Sequence, residues 1–495
     1  MANKKFSEFT LKTDSANVDF VVGYDGSDNV RIAPSNLSSG GASSLNGLSD
    51  VLIDSTSAYF INIPSGLSGN PADNLVIGNS AGNSLTTGLG NIAIGNQALS
   101  SGTTAQKNVA IGNECFPLVT GNSNVGVGYF SGKLSTAASN NTFIGNTAGQ
   151  QNSQGSGNTF VGKGAGFWNT TLSDNAYIGM NSGSVLGQKN VSLGVRSLGG
   201  TFAAVSESVG VGYEAGGSNQ ATQVTFVGSQ AGRANTAAGN VAIGYQSGYS
   251  NTSGSENTNI GYKAGYSNTI SGSNTKVGYE AAYHNTGQQT AAFGYRALFG
   301  SAGSSSGRYN SAFGREAGVA VTSGEQNTLL GASAGKAITT GSGNTVIGVD
   351  AAFNSLISGG NNIVIGKLAA PSATSVSNEI TLGDPNIATL RCQVQTISAL
   401  SDSRDKTNVQ PSPYGLDLIS QLQPVTFDWN MRDGAKVGQK DLGFIAQELQ
   451  EVDDENLQLV YDNNPDRLEA SYGRLIPVLV QAIKDLKAEV ELLKA

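Results

Sequence analysis

The chain has 495 residues, of which 13% are charged, about half the roughly 25% of an ordinary globular domain, and 67 are glycine. A formal charge of −8 speaks against a nucleic-acid partner, which selects a basic face. Two cysteines, Cys115 and Cys392, and one histidine exclude a disulfide framework, a four-cysteine zinc site and every histidine-dependent triad not built on His284, so neither a metal nor a cofactor is expected.

No run of eighteen apolar residues exists, which predicts no membrane insertion, and the opening MANKKFSEFTLKTDSANVDF lacks a signal-peptide apolar core. Synthesis in a cytoplasm without export by the general secretory route is the expectation. Residues 1–40 contain FSEFTLKTDSANVDFVVGYDGSDNVRIAPSNL, a strand-like alternation broken by the turn YDGSDN. This stretch resembles the attachment modules that open phage tail-fibre proteins, which implies virion tail or baseplate proteins as partners. Residues 41–70, with SSGGASSLNGLSD, read as a flexible joint.

From 71 to 383 the sequence repeats. Nineteen glycines, from Gly78 to Gly383, each follow Ile, Val, Leu or Phe at intervals of 15 to 20 residues, mostly 16 or 17. The residue four before the glycine is Asn in fifteen copies, the exceptions being Ser208, Val224, Thr290 and Glu379. Three residues after it stands Ala, Ser or Cys in every copy but the last, which has Asn386. A flexible linker has no reason to hold three residue types at fixed offsets, whereas a solenoid stacks equivalent side chains coil upon coil. Within Asn240 to Gly244, Val241 and Ile243 share one face of a short strand. Stacked asparagines predict amide ladders, the glycine a sharp turn, and the small residue a close approach of opposite walls.

The register disposes of several other leads. Cys115 falls at the small-residue offset and reads as a buried stand-in for Ala. GVGYFSG, GVGYEAG and GKGAG mimic phosphate-binding loops, but each sits on the repeat landmark with no long helix after it. His284 reads as a solvated residue of a connecting segment. Residues 71–385 hold only twelve carboxylates, none paired closely in sequence, so no glycoside-cleaving pair is signalled.

The N-x-x-I-G-x-x-A-G units resemble those of trimeric adhesin heads and phage tail fibres, which stack as a left-handed β-roll in a three-chain bundle. The implied fold is mainly β: a trimeric β-roll or β-solenoid shaft, on the order of 85 Å long at about 4.8 Å per coil. Each coil carries few large apolar residues, so burial within one chain is thin and three chains would remedy it.

Residues 384–400, with RCQVQTISAL, read as a neck strand. From 401 to 495 the composition turns ordinary, with ten of the 28 basic and seventeen of the 36 acidic residues, nearly all of the net charge. GLDLISQLQP reads as helix, VTFDWN as strand, DLGFIAQELQEV as helix, and a last helix starts near Leu475. Tyr472, Ile476, Leu479, Ile483, Leu486, Val490 and Leu493 alternate in four- and three-residue steps, either a coiled-coil seam or the face that packs on the helix's own domain. On spacing alone, Ser401 or Asp402 in SDSRDK caps a helix. Ser401 and Lys406 are five residues apart, on opposite faces of a strand and about 140° apart on a helix. Only a turn or a neighbouring chain unites them.

Taken with LGFIAQELQEV at 442–452 and YGRLIPVLVQAIKDL at 472–486, SDSRDK at 401–406 resembles the C-terminal intramolecular chaperone domain of phage tail spikes and fibres, a self-cleaving serine endopeptidase module with an α/β fold. The resemblance implies Ser401 as nucleophile, Lys406 as its general base and scission between Leu400 and Ser401, without turnover of any other substrate. It implies a trimerisation seam through Ile476, Leu479, Ile483, Leu486, Val490 and Leu493. A lysine serves as base only where burial or a nearby cation such as Arg404 favours its neutral amine. Nearly identical coils slip easily, and a trimerising domain would set their alignment. The expected protein is a homotrimeric phage tail fibre, assembled in the host cytoplasm and resident in the virion tail, whose host receptor is a glycan or outer-surface protein. The alternatives are a glycan-degrading tail spike and a bacterial trimeric surface adhesin.

Overall fold

The computed structural model describes residues 20–25, 28–32, 51–53 and 58–60 as backbone, and 73–184, 186–200, 204–387, 389–391, 393, 401–432 and 436–494 in full. The chain divides into two units, Met1–Glu256 and Asn257–Ala495.

In the first unit Phe20–Asp25 and Asp28–Ile32 form an antiparallel pair around the YDGSDN turn. The remainder of the N-terminal module lies outside the described residues. Inside the segment expected as a joint, Val51–Ile53 pairs with Ala58–Phe60, and the latter lies in parallel on Leu75–Ile77. The stack therefore starts within residues 41–70. Eleven three-residue strands follow, from Leu75–Ile77 to Val241–Ile243, neighbours pairing in parallel without a register shift. The second unit opens with eight more, from Thr258–Ile260 to Ile380–Leu382, paired in the same way. Together these are a β-solenoid with a repeat near 17 residues, and the protein is mainly β.

Most landmark glycines are required twice over. Gly128 sits at φ +139°, where L side chains are strained, and a Cβ there would lie 2.4 Å from the carbonyl oxygen of Gly145 in the next coil. A side chain would force two coils apart. The ladder asparagines behave as predicted: Asn91 donates both its backbone N–H (2.8 Å) and its Nδ2 (3.0 Å) to Asn74 Oδ1, and Nδ2 also reaches Ala105 O at 2.8 Å. Stacking thus satisfies amides that would be costly to bury alone.

Val241 and Ile243 do share a face, and it is the outer one: Ala242 between them is buried while Ile243 is 36% exposed. The same holds along the stack, where the middle strand residue points inward. A buried aromatic column results from Phe143, Phe160 and Tyr177, and Phe116, from the turn after Gly112, extends it, with successive centroids from Phe116 onward 5.6, 4.9 and 4.9 Å apart. Gly126 occupies an inward position only because the Phe116 ring fills the space its side chain would take.

Among the described residues of 384–400 no strand forms; Asp384 and Ile387 close a turn instead, and Cys392 lies outside the described residues. The C-terminal segment contains α1 (Leu416–Gln421), an antiparallel pair of Val425–Asp428 with Lys440–Gly443, α2 (Ala446–Gln450), a short pair of Val460–Tyr461 with Glu469–Ala470, and α3 (Leu475–Lys494). DLGFIAQELQEV is thus strand first and helix second. Gly443 weakens a helix, its backbone is paired across to Val425, and the Tyr472 hydroxyl occupies the space a side chain would need. Leu418, Leu449, Leu457, Leu459, Leu475 and Val478 form the core of this segment.

Candidate functional site

SDSRDK folds as a capped turn. Asp402 is the N-cap of the 3₁₀ turn Ser403–Asp405, and its Oδ1 accepts the Arg404 backbone N–H at 2.8 Å. The Arg404 guanidinium forks back onto the same carboxylate, with Nη2 2.6 Å from Oδ2, and holds Asp402 below the usual carboxylate range. The Arg404 charge, named as one way to favour a neutral lysine, is thus paired with Asp402. The turn reverses the chain enough to bring Lys406 Nζ to 2.6 Å from Ser401 Oγ. Both side chains are exposed, and Leu400 lies outside the described residues.

The other two quoted motifs also meet: Phe444 N–H donates to the Tyr472 hydroxyl at 3.1 Å, and the two rings pack edge to face. On α3 one face, Leu475, Val478 and Ala482, is buried against its own domain. The strip beside it is open: Ile476, Leu479, Ile483, Leu486, Val490 and Leu493 are between 38% (Val490) and 87% (Leu493) exposed.

Several residues of the shaft carry chemistry that its repeat pattern hides. Cys115 is buried, and burial pushes its thiol up to about 12, so it is inert, as its offset implies. His284 is half-buried, edge-on between Tyr283 and Phe299, and burial lowers its pKa. Lys276, at the middle strand position of Thr275–Val277, is fully buried; its Nζ donates to Asn285 O at 3.1 Å, and desolvation brings it down to about 7. A lysine at an inward offset was the available signal, but it is readable only once the inward offset is known. Glu379, the one carboxylate among the nineteen ladder positions, accepts from Ser372 N–H (2.9 Å), Ser372 Oγ, Thr381 Oγ1 (2.8 Å) and the Tyr461 hydroxyl (2.8 Å).

A surface cleft of about 480 Å³ opens in the first unit, lined by Phe167, Trp168, Arg196, Glu214 and Arg233 together with small residues such as Ser184 and Gly199. Glu214 is paired with Arg233 at 3.1 Å and Arg196 at 3.6 Å, and a hydrogen bond from Gln230, together with the Arg233 charge, lowers its pKa. Tyr266, Tyr283 and Phe299 stack in a row on the second unit at 4.9 and 5.5 Å.

Residues 401–458 match the family described as the chaperone of endosialidase, a peptidase family. No curated protein matches the chain. A long β-solenoid followed by a domain that matches this family fits a phage tail fibre or tail spike.

Proposed function

We propose that the protein is a homotrimeric phage tail fibre of the virion that contacts the host surface, and that its C-terminal domain aligns three chains and then cuts itself free. The observation that carries the trimer is the outward strip of apolar strand residues, such as Ile144 (39% exposed), Leu193 (44%) and Leu330 (49%), continued in kind by the open face of α3. A single chain leaves these side chains in water, and packing copies along the strip removes them. The match to the chaperone of endosialidase supports three copies.

The 2.6 Å contact of Lys406 with Ser401 supports their pairing as base and nucleophile. Ser401 Oγ adds to the Leu400 carbonyl carbon as its proton passes to the Lys406 amine. The C–N bond then breaks, the proton goes to the departing Ser401 amine, and the Leu400 acyl group is left as an ester on Oγ. One water hydrolyses that ester. A covering neighbour that excludes solvent favours the neutral lysine amine, so cleavage follows assembly. Mass analysis of the recombinant chain tests both parts: wild type gives 400- and 95-residue pieces in three-chain particles, while Ser401→Ala and Lys406→Ala stay intact. An intact wild type, or a monomer, refutes the corresponding half.

The Trp168 cleft is the surface feature best suited to a host saccharide, offering a ring face, two guanidiniums and small-residue floor space. It contains a single carboxylate, already ion-paired, which favours binding over glycan cleavage.

A further inference from the structure

The asparagine ladder of the second unit runs Asn310, Asn327, Asn344, Asn362, each Oδ1 accepting the next coil's N–H and Nδ2. Glu379 takes the next place. Its backbone N–H still donates to Asn362 Oδ1 at 3.0 Å, but its carboxylate is acceptor-only and cannot add the side-chain N–H that an asparagine gives back to the coil before it. It needs donors instead, and one of them, the Tyr461 hydroxyl, comes from the C-terminal segment. All other ladder positions carry Asn, Ser, Val or Thr, so a phenol hydroxyl seeking a carboxylate finds this partner at one coil only.

We propose that Glu379 is the address at which the C-terminal domain docks on the shaft: Tyr461 recognises the one ladder carboxylate, fixes which coil is last, and so sets the register from which the stack grows. This rests on the reading of residues 401–495 as a folding domain. Because 379 and 461 lie on opposite sides of the Leu400–Ser401 bond, the contact also holds the cut domain on the shaft.

The test uses the full chain as wild type, Tyr461→Phe, Glu379→Gln and a deletion of residues 401–495. Tyr461→Phe removes one hydroxyl and keeps the ring, so the domain's own core is spared. Docking is expected to weaken about tenfold in either point variant, as loss of a hydrogen bond to a charged group implies. The readouts are a lower yield of protease-resistant shaft and, in cleaved material, a 95-residue piece that elutes apart from the shaft instead of with it. Wild-type yield and co-elution in both point variants overturn the address. If the deletion alone loses the shaft, the folding role stands without this contact; if the deletion also folds normally, the folding role itself falls.

Discussion

The shaft and the C-terminal domain bury different mixtures of residues. The domain follows the ordinary pattern, with leucines and a valine inside. The shaft hides mostly alanine, serine and asparagine, with single leucines and the aromatic column among them, and turns much of its Ile, Val and Leu outward. A coil of about 17 residues has too little interior for large side chains on both faces of a strand. Its cohesion comes from backbone ladders, stacked amides and close backbone approach, and it leaves apolar side chains in water. The domain gathers its large apolar residues into a core of its own, and the shaft keeps many of them at its surface.

The largest effect that breaks this contrast should come from glycine. Gly145→Val puts a Cβ 2.5 Å from the Gly162 carbonyl oxygen at φ +138° and is expected to cost more than about 3 kcal/mol, read as protease sensitivity of the shaft. Gly473→Ala, where a Cβ meets nothing within 4 Å, should leave the domain's thermal stability unchanged. Next, Asn141→Leu strands the Asn158 N–H and the Gly155 carbonyl, at about 1–3 kcal/mol each. Denaturant unfolding should show the loss, whereas an apolar substitution in the domain core would not expose such orphaned polar groups.

Lys276 sharpens the comparison through pH. Its folded pKa is depressed to about 7 against an ordinary 10.5, so between those values the unfolded chain binds more protons. Shaft stability is therefore expected to rise as pH climbs from about 7 to 10.5. Lys276→Met should flatten that rise and stabilise the protein at neutral pH, in melts across the range. The smallest effect on the single chain is expected from Leu486→Ser on the open face of α3: under about 0.5 kcal/mol for the domain, with loss of the three-chain species in light scattering.

Much of this was legible in linear order because a solenoid repeats in space what it repeats in sequence. The glycine register, the buried small offset that explains Cys115 and the asparagine ladder follow from spacing alone, since each coil meets only its neighbours. Spacing could not tell which face of a strand points inward, because period-two alternation is symmetric until a closed coil gives it an inside; Ala242 and Lys276 were assigned only then. Nor could it bring Lys406 to Ser401, which depends on the Asp402-capped turn, nor Tyr461 to Glu379, 82 residues earlier in the chain. Local order determined the periodic and nearest-neighbour features. Contacts made by chain reversal and by docking of distant segments belong to the tertiary structure, because no offset along the chain encodes them.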